Sequence, residues 1–240
     1  MNATSEIGTR LAAVRDRVRR AAERAGRSPD EITLVGVAKR KSAALVAAAA
    51  RAGLRNVGEN YVQEALPKIL EVKTILEPEE IPAPRWHFIG QLQRNKAGRV
   101  AEGFDLIETV DRARLAQALE QRAQALGRTL EVLLQVNVSG EAQKGGIEPD
   151  ALPELLAASA GWPHLRVAGL MAIPAPQSDP EASRPAFARL RALRENLRSA
   201  AGGEHLRELS MGMSADFEVA IEEGATIIRV GTAIFGPRDS

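Results

Sequence analysis

Short apolar and β-branched runs alternate along this chain with longer stretches in which Ala and Leu recur every three or four positions among Arg and Glu. The short runs fall at Ile32 to Ala38, Arg55 to Val57, Trp86 to Ile89, Asp105 to Ile107, Leu130 to Val136, Leu165 to Met171, Leu206 to Leu209 and Ile227 to Val230, and read as strands. The longer stretches between them, Ala43 to Ala52, Tyr61 to Leu76, Arg94 to Ala101, Arg112 to Leu126, Asp150 to Ala160, Pro180 to Ala201 and Ala215 to Glu223, read as helices. Strands separated by helices lie parallel, and eight of them close most simply into a (β/α)8 barrel. An amphipathic segment from Ser5 to Ala25, with Leu11, Val14, Val18 and Ala22 on one face, adds a helix before the first strand. Glu77 to Arg85 carries three prolines and reads as an irregular connection.

The chain has 240 residues, a length one such barrel fills, and no shift in composition marks a second domain, so residues 1–240 are expected to form one domain. A net charge of +1 with 26% charged residues lacks the one-signed bias of a nucleic-acid or membrane-surface binder, and 3% aromatics leave little for base stacking. Zero cysteines and three dispersed histidines (His87, His164, His205) exclude a disulfide framework and any thiolate or sequence-local metal motif. No hydrophobic signal core opens the chain, and no run approaches the roughly 20 apolar residues that span a bilayer. A soluble protein of the reducing cytoplasm is the expectation.

Barrel enzymes carry their chemistry on the loops after the strands, with phosphate often held after the seventh and eighth. Lys39 ends the first apolar run, and a primary amine against a buried strand is a candidate nucleophile toward carbonyls. After the seventh run, Met211-Gly212-Met213-Ser214 leads into a helix, so Ser214 is placed to cap it while free N–H groups face an anion. Gly231-Thr232 after the eighth run offers close backbone approach and a hydroxyl, and Arg229 shares the facing of Gly231. Each feature has a plainer reading: a solvated strand end for Lys39, a cap or turn for the two loops, and a structural ion-pair partner for Arg229. His87 reads as a satisfied core histidine, and Met171, Met211 and Met213 as core filler. An amine together with two anion-binding loops suggests an aldehyde that carries a phosphate.

Val35-Gly36-Val37-Ala38-Lys39, Gly58-Glu59-Asn60-Tyr61-Val62-Gln63-Glu64 and the segment from His87 to Lys96 follow one another in an order that resembles the YggS/PROSC family of pyridoxal 5′-phosphate homeostasis proteins. So do Gln135-Val136-Asn137-Val138, Gly169-Leu170-Met171, the segment Ser210 to Asp216 and the segment Arg229 to Gly236, so that the likeness spans essentially the whole chain. The resemblance implies an alanine-racemase-type barrel and a Schiff base between pyridoxal 5′-phosphate (PLP) and Lys39. It further implies a phosphate held around Ser210, Ser214, Gly231 and Thr232, with Asn60 and Met171 beside the cofactor and Arg229 facing the pyridine nitrogen. Ala38 and Arg40 stand where the family often has Ser and Thr around the lysine, and Lys144-Gly145-Gly146 where it has Lys-Ser-Gly. Lys41 is a possible second amine for passing the cofactor on.

The family's role implies a protein that holds and hands over PLP in vitamin B6 and amino-acid homeostasis rather than an enzyme with robust turnover. The related racemases take a second acid/base from an added β-domain, whereas the only tyrosine here, Tyr61, opens a helix. An Arg partner also stays protonated and leaves the cofactor a weak electron sink. The alternatives are a single-domain PLP-dependent racemase or lyase, and a class I aldolase or phosphosugar isomerase acting through the same lysine. PLP-dependent apoenzymes are the expected recipients, and a monomer or weak dimer the expected assembly.

Overall fold

The computed structural model describes residues 3–140 and 145–237. Eight parallel strands, β1 Thr33–Val37, β2 Asn56–Glu59, β3 Arg85–Phe88, β4 Leu106–Val110, β5 Leu130–Gln135, β6 Leu165–Met171, β7 Glu208–Ser210 and β8 Ile227–Val230, close a barrel in sequence order. Closure is made by β1 and β8, where Val35 lies beside Arg229 and Gly36 beside Val230. The helices outside are α1 Ala3–Arg24, α2 Ala43–Arg51, α3 Val62–Leu76, α4 Ala97–Gly103, α5 Ala113–Ala125, α6 Leu152–Ala157, α7 Arg184–Leu197, α8 Phe217–Glu222 and α9 Thr232–Phe235. The β/α alternation read from the pattern is therefore the architecture, and β6 and β8 have the bounds expected. The ends of β2, β4 and β7 run further toward the barrel mouth than expected, and α9 is an additional single turn after β8.

Helix α1 forms because Ile7, Leu11, Val14, Val18, Ala21 and Ala22 recur at helical spacing, and all of them are buried. It packs across α2, α8 and α9, and so covers the seam where the barrel closes. The start of α2 is fixed by Ser42, whose hydroxyl accepts the Leu45 N–H. Inside the barrel, Val35, Leu106, Leu133, Ala168, Met171 and Ile227 form an apolar plug. The main core lies between strands and helices. Among the described residues, no helix is long and apolar enough to cross a membrane.

Candidate functional site

Above the plug, the strand ends and their loops surround a cavity of about 450 Å³ at the C-terminal mouth of the barrel. Its wall includes Lys39, Asn60, Ser214, Arg229, Gly231 and Thr232, six residues that the sequence places on four different strand ends. They meet because parallel strands all finish at one rim. Met171 and Ser210 do not reach this wall: both are fully buried beneath it, Met171 within the plug and Ser210 in a polar network described below.

Lys39 follows β1 in a tight turn, half-buried, and its side chain makes no hydrogen bond or ion pair with any described residue. The next residue, Arg40, has φ 59°, in the left-handed region that a side chain rarely adopts. Two tethers hold this turn. The Ala38 carbonyl accepts from Lys68 Nζ at 2.9 Å, and the Arg40 N–H donates to Glu64 Oε1 at 2.5 Å. Lys68, on α3, also donates to Glu59 Oε1 at 2.6 Å and Glu64 Oε1 at 2.7 Å. Burial pushes the Glu59 carboxyl up to about 6, and the hydrogen bond and charge of Lys68 only partly oppose that rise. The neighbouring Asn60 leaves its side-chain oxygen buried with no partner. Lys41 lines the cavity as well, and its Nζ donates to the Pro237 carbonyl at 2.7 Å.

The opposite wall is built from the loops after β7 and β8. Gly212 has φ 90°, and a Cβ there would lie 2.5 Å from Ala220 Cβ and 2.9 Å from Phe217 Cα, so only glycine allows the chain to turn against α8. Ser214 does not cap α8, as the sequence suggested; the helix begins three residues later, behind Asp216, and the Ser214 hydroxyl accepts the Gly231 N–H at 3.3 Å. That bond clamps the two loops together. The N–H groups of Ser214 and Ala215, and those of Thr232 and Ala233 at the start of α9, have no hydrogen-bond partner among the described residues. Such unpaired amides, with two hydroxyls between them, suit an anion of phosphate type.

Arg229 points inward from β8 and is 3% exposed. It donates to the Ala172 carbonyl at 2.9 Å and to the Ser210 hydroxyl, which in turn donates to Glu108 Oε2 at 2.5 Å. Burial pulls the guanidinium below its ordinary value, and the charges of Glu108 and Asp216 oppose this. Glu108 also meets His87 Nδ1 at 2.7 Å. A carboxylate only accepts, so that ring nitrogen carries the proton. Sequence reasoning found Arg229 but assigned nothing to Glu108, Glu59, Lys68 or Glu64, whose signal was carboxylates and a lysine within otherwise apolar segments. Tyr61 stands half-exposed before α3, outside this cavity. Lys144 lies outside the described residues.

Comparison with known proteins gives a consistent set of likenesses. Residues 9–239 match the family model for the alanine racemase N-terminal domain. Over 235 residues the chain is 48% identical to the pyridoxal phosphate homeostasis protein of Pseudomonas aeruginosa, covering 98% of this chain and 97% of that one. It is 45% identical over 240 residues to the protein of the same name from Escherichia coli strain K12, covering 98% of each. Among solved structures, PipY of Synechococcus elongatus with PLP bound superposes with a TM-score of 0.81 at 36% identity, over 96% of this chain and all of that one. The alanine racemase of Corynebacterium glutamicum shares the barrel alone, with a TM-score of 0.63 at 17% identity over 96% of this chain and 62% of that one.

Proposed function

This chain belongs to the pyridoxal phosphate homeostasis proteins, within the alanine racemase N-terminal-domain family, and on that footing we propose that it holds PLP covalently on Lys39 and hands it on to PLP-dependent apoenzymes. One observation carries the reading: a lysine amine without a partner among the described residues shares a cavity with loops whose amides, unpaired among those residues, and hydroxyls suit a phosphate. PLP supplies an aldehyde beside that phosphate. The Lys39 nitrogen adds to the aldehyde carbon and one water leaves. The N–H groups of Ser214, Ala215, Thr232 and Ala233, unpaired among the described residues, would hold the phosphate together with the Ser214 and Thr232 hydroxyls, and Gly231 would let it come close to the backbone. Asn60, with its orphaned oxygen, would satisfy a polar group of the ring, and Arg229 would face the ring nitrogen. Ser210 and Met171 would act from below, Ser210 by fixing the Arg229 guanidinium and Met171 by closing the floor.

The same wall supports holding rather than turnover. Among the described residues, the titratable side chains lining the cavity are Lys39, Lys41 and Arg229; no carboxylate, imidazole or phenol lines it, and the Lys41 amine is engaged with the Pro237 carbonyl. A buried guanidinium also keeps its protons and gives none to the ring nitrogen.

Purified protein mixed with PLP is expected to develop a visible absorbance band, to become permanently labelled on the Lys39 peptide after borohydride reduction, and to lose both in Lys39→Ala. A label that mapped elsewhere, or a band unchanged in that variant, would overturn the assignment. Deuterium exchange at the α-carbon of added amino acids separates holding from racemase or lyase chemistry, and none is expected.

A further inference from the structure

We propose that Lys68 and Glu64, two side chains one turn apart on α3, are positioning residues that set the Lys39 amine at the cavity wall; the proposal rests on Lys39 being the attachment point. Lys68 is 6% exposed at its side chain and directs its ammonium into the barrel wall instead of toward water. All three of its protons are used, on the Ala38 carbonyl, Glu59 Oε1 and Glu64 Oε1. Glu64 Oε1 then takes the Arg40 N–H. The peptide groups immediately before and after Lys39 are therefore fastened to a single ion pair, and Lys39 itself is the untethered residue between them.

The bracket has a definite task. Arg40 sits in a left-handed conformation that a residue with a side chain holds only where its surroundings enforce it. Without the Glu64 acceptor, the turn has an easier backbone conformation available, and the Lys39 side chain would leave the barrel wall along a different line. The third contact, to Glu59, adds a second wall: Glu59 ends β2 and precedes Asn60, so one ammonium fixes the strand ends that carry both Lys39 and Asn60. Burying an ammonium with two carboxylates is a poor route to stability when apolar packing is available, which favours a geometric reason for the arrangement. Nothing in Lys68 or Glu64 lines the cavity. Their effect on the amine runs through the backbone alone.

The test compares wild type with Lys68→Met, Glu64→Ala and Glu64→Gln, using PLP as the probe. Stopped-flow absorbance reads the rate of capture, borohydride trapping with peptide mapping reads where it is captured, and hydrogen exchange of the peptide spanning residues 38–41 is measured without PLP. The expected result is folded protein in which Lys68→Met and Glu64→Ala capture PLP about tenfold or more slowly, the scale of loss that a misplaced reacting group produces. Exchange at Arg40 should quicken in the same two variants, while Glu64→Gln, whose amide oxygen still accepts the Arg40 N–H, should recover most of the rate. Capture at the wild-type rate in Glu64→Ala, or Glu64→Gln no better than Glu64→Ala, would overturn the proposal. If Lys68→Met does not fold, Glu64→Ala decides alone, since that side chain is 28% exposed and its loss leaves no cavity in the core. A wild-type label on a residue other than Lys39 would instead sink the attachment reading, and this inference with it.

Discussion

Glu108 on β4 and Arg229 on β8 face each other across the interior of the barrel at 3.6 Å, with the Ser210 hydroxyl of β7 accepting from one and donating to the other. Both charges are almost wholly buried, so neither can recruit water if the other is removed. Glu108→Gln is expected to lower the unfolding free energy by about 3 kcal/mol or more, and the midpoint of urea denaturation with it, because it removes the carboxylate nearest the buried Arg229 guanidinium and leaves only the charge of Asp216 to oppose its burial. A midpoint unchanged from wild type would show that the network contributes no stability.

The same carboxyl makes a prediction about acid. Burial alone would push Glu108 up, but the His87 hydrogen bond, the Arg229 charge and the Ser210 hydrogen bond outweigh it and hold the group below the ordinary carboxylate range. A depressed folded value means that the unfolded chain takes up the proton first. The stability from Glu108 is therefore present in full above the ordinary value of 4.5 and is lost as pH falls through the folded one. The stability gap between wild type and Glu108→Gln should narrow on acidification below about pH 4.5, measured by denaturant titration at each pH.

How much of this could be read from the chain depends on what the barrel puts where. β6 and β8 were legible to the residue because each is a short, mostly apolar run interrupted by a single arginine, Arg166 or Arg229. β4 was not, because Glu108 and Thr109 look like the polar end of a strand, whereas both are buried, Glu108 against His87, Ser210 and Arg229 and Thr109 against the Gly90 carbonyl, and the strand continues to Val110. β2 was cut short at Val57 for the same reason, with Glu59 buried under α3. Alternation of polar and apolar residues reports solvent, and these carboxylates face other charges instead. Of the cavity wall, Lys39, Asn60, Ser214, Gly231 and Thr232 were legible because they follow strand ends that a parallel barrel brings to one rim, and Arg229 because it shares the facing of Gly231 two residues on. The role of Ser214 was misread: pattern cannot tell a helix cap from a hydroxyl that joins two loops. The single turn α9 is too short to have any periodicity.

Glu59 titrates in the opposite sense to Glu108. Its folded value is raised from 4.5 to about 6 by burial, so the native protein takes up a proton more readily than the unfolded chain does. Its contribution is most favourable below 4.5 and is lost as pH rises through about 6. Relative to Glu59→Gln, which has no such proton, wild type should gain about 2 kcal/mol of stability between pH 7 and pH 4.5. Parallel pH profiles for the two proteins would exclude the raised value. Above pH 6 the ionised carboxylate also strengthens the hold on Lys68, so capture of PLP should be better ordered there than at pH 5.

Two glycines in the loops after β7 and β8 separate folding from binding. At Gly212 an alanine would adopt φ 90° and drive its methyl against Ala220 and Phe217. Gly212→Ala should therefore cost about 2 kcal/mol or more, by strain and overpacking together, whether or not PLP is present. At Gly231 the backbone has φ −105°, and a Cβ would rest 3.5 Å from Val37 Cβ, an ordinary contact. Gly231→Ala should fold with a midpoint close to wild type. Its methyl, however, stands on the cavity wall beside Val37, next to the amides proposed to take the phosphate. The expected outcome is weaker capture of PLP by Gly231→Ala with pyridoxal, which lacks the phosphate, much less affected, both read from equilibrium absorbance titrations. Equal losses for the two vitamers would mean that Gly231 borders the ring and that the phosphate sits elsewhere in the mouth.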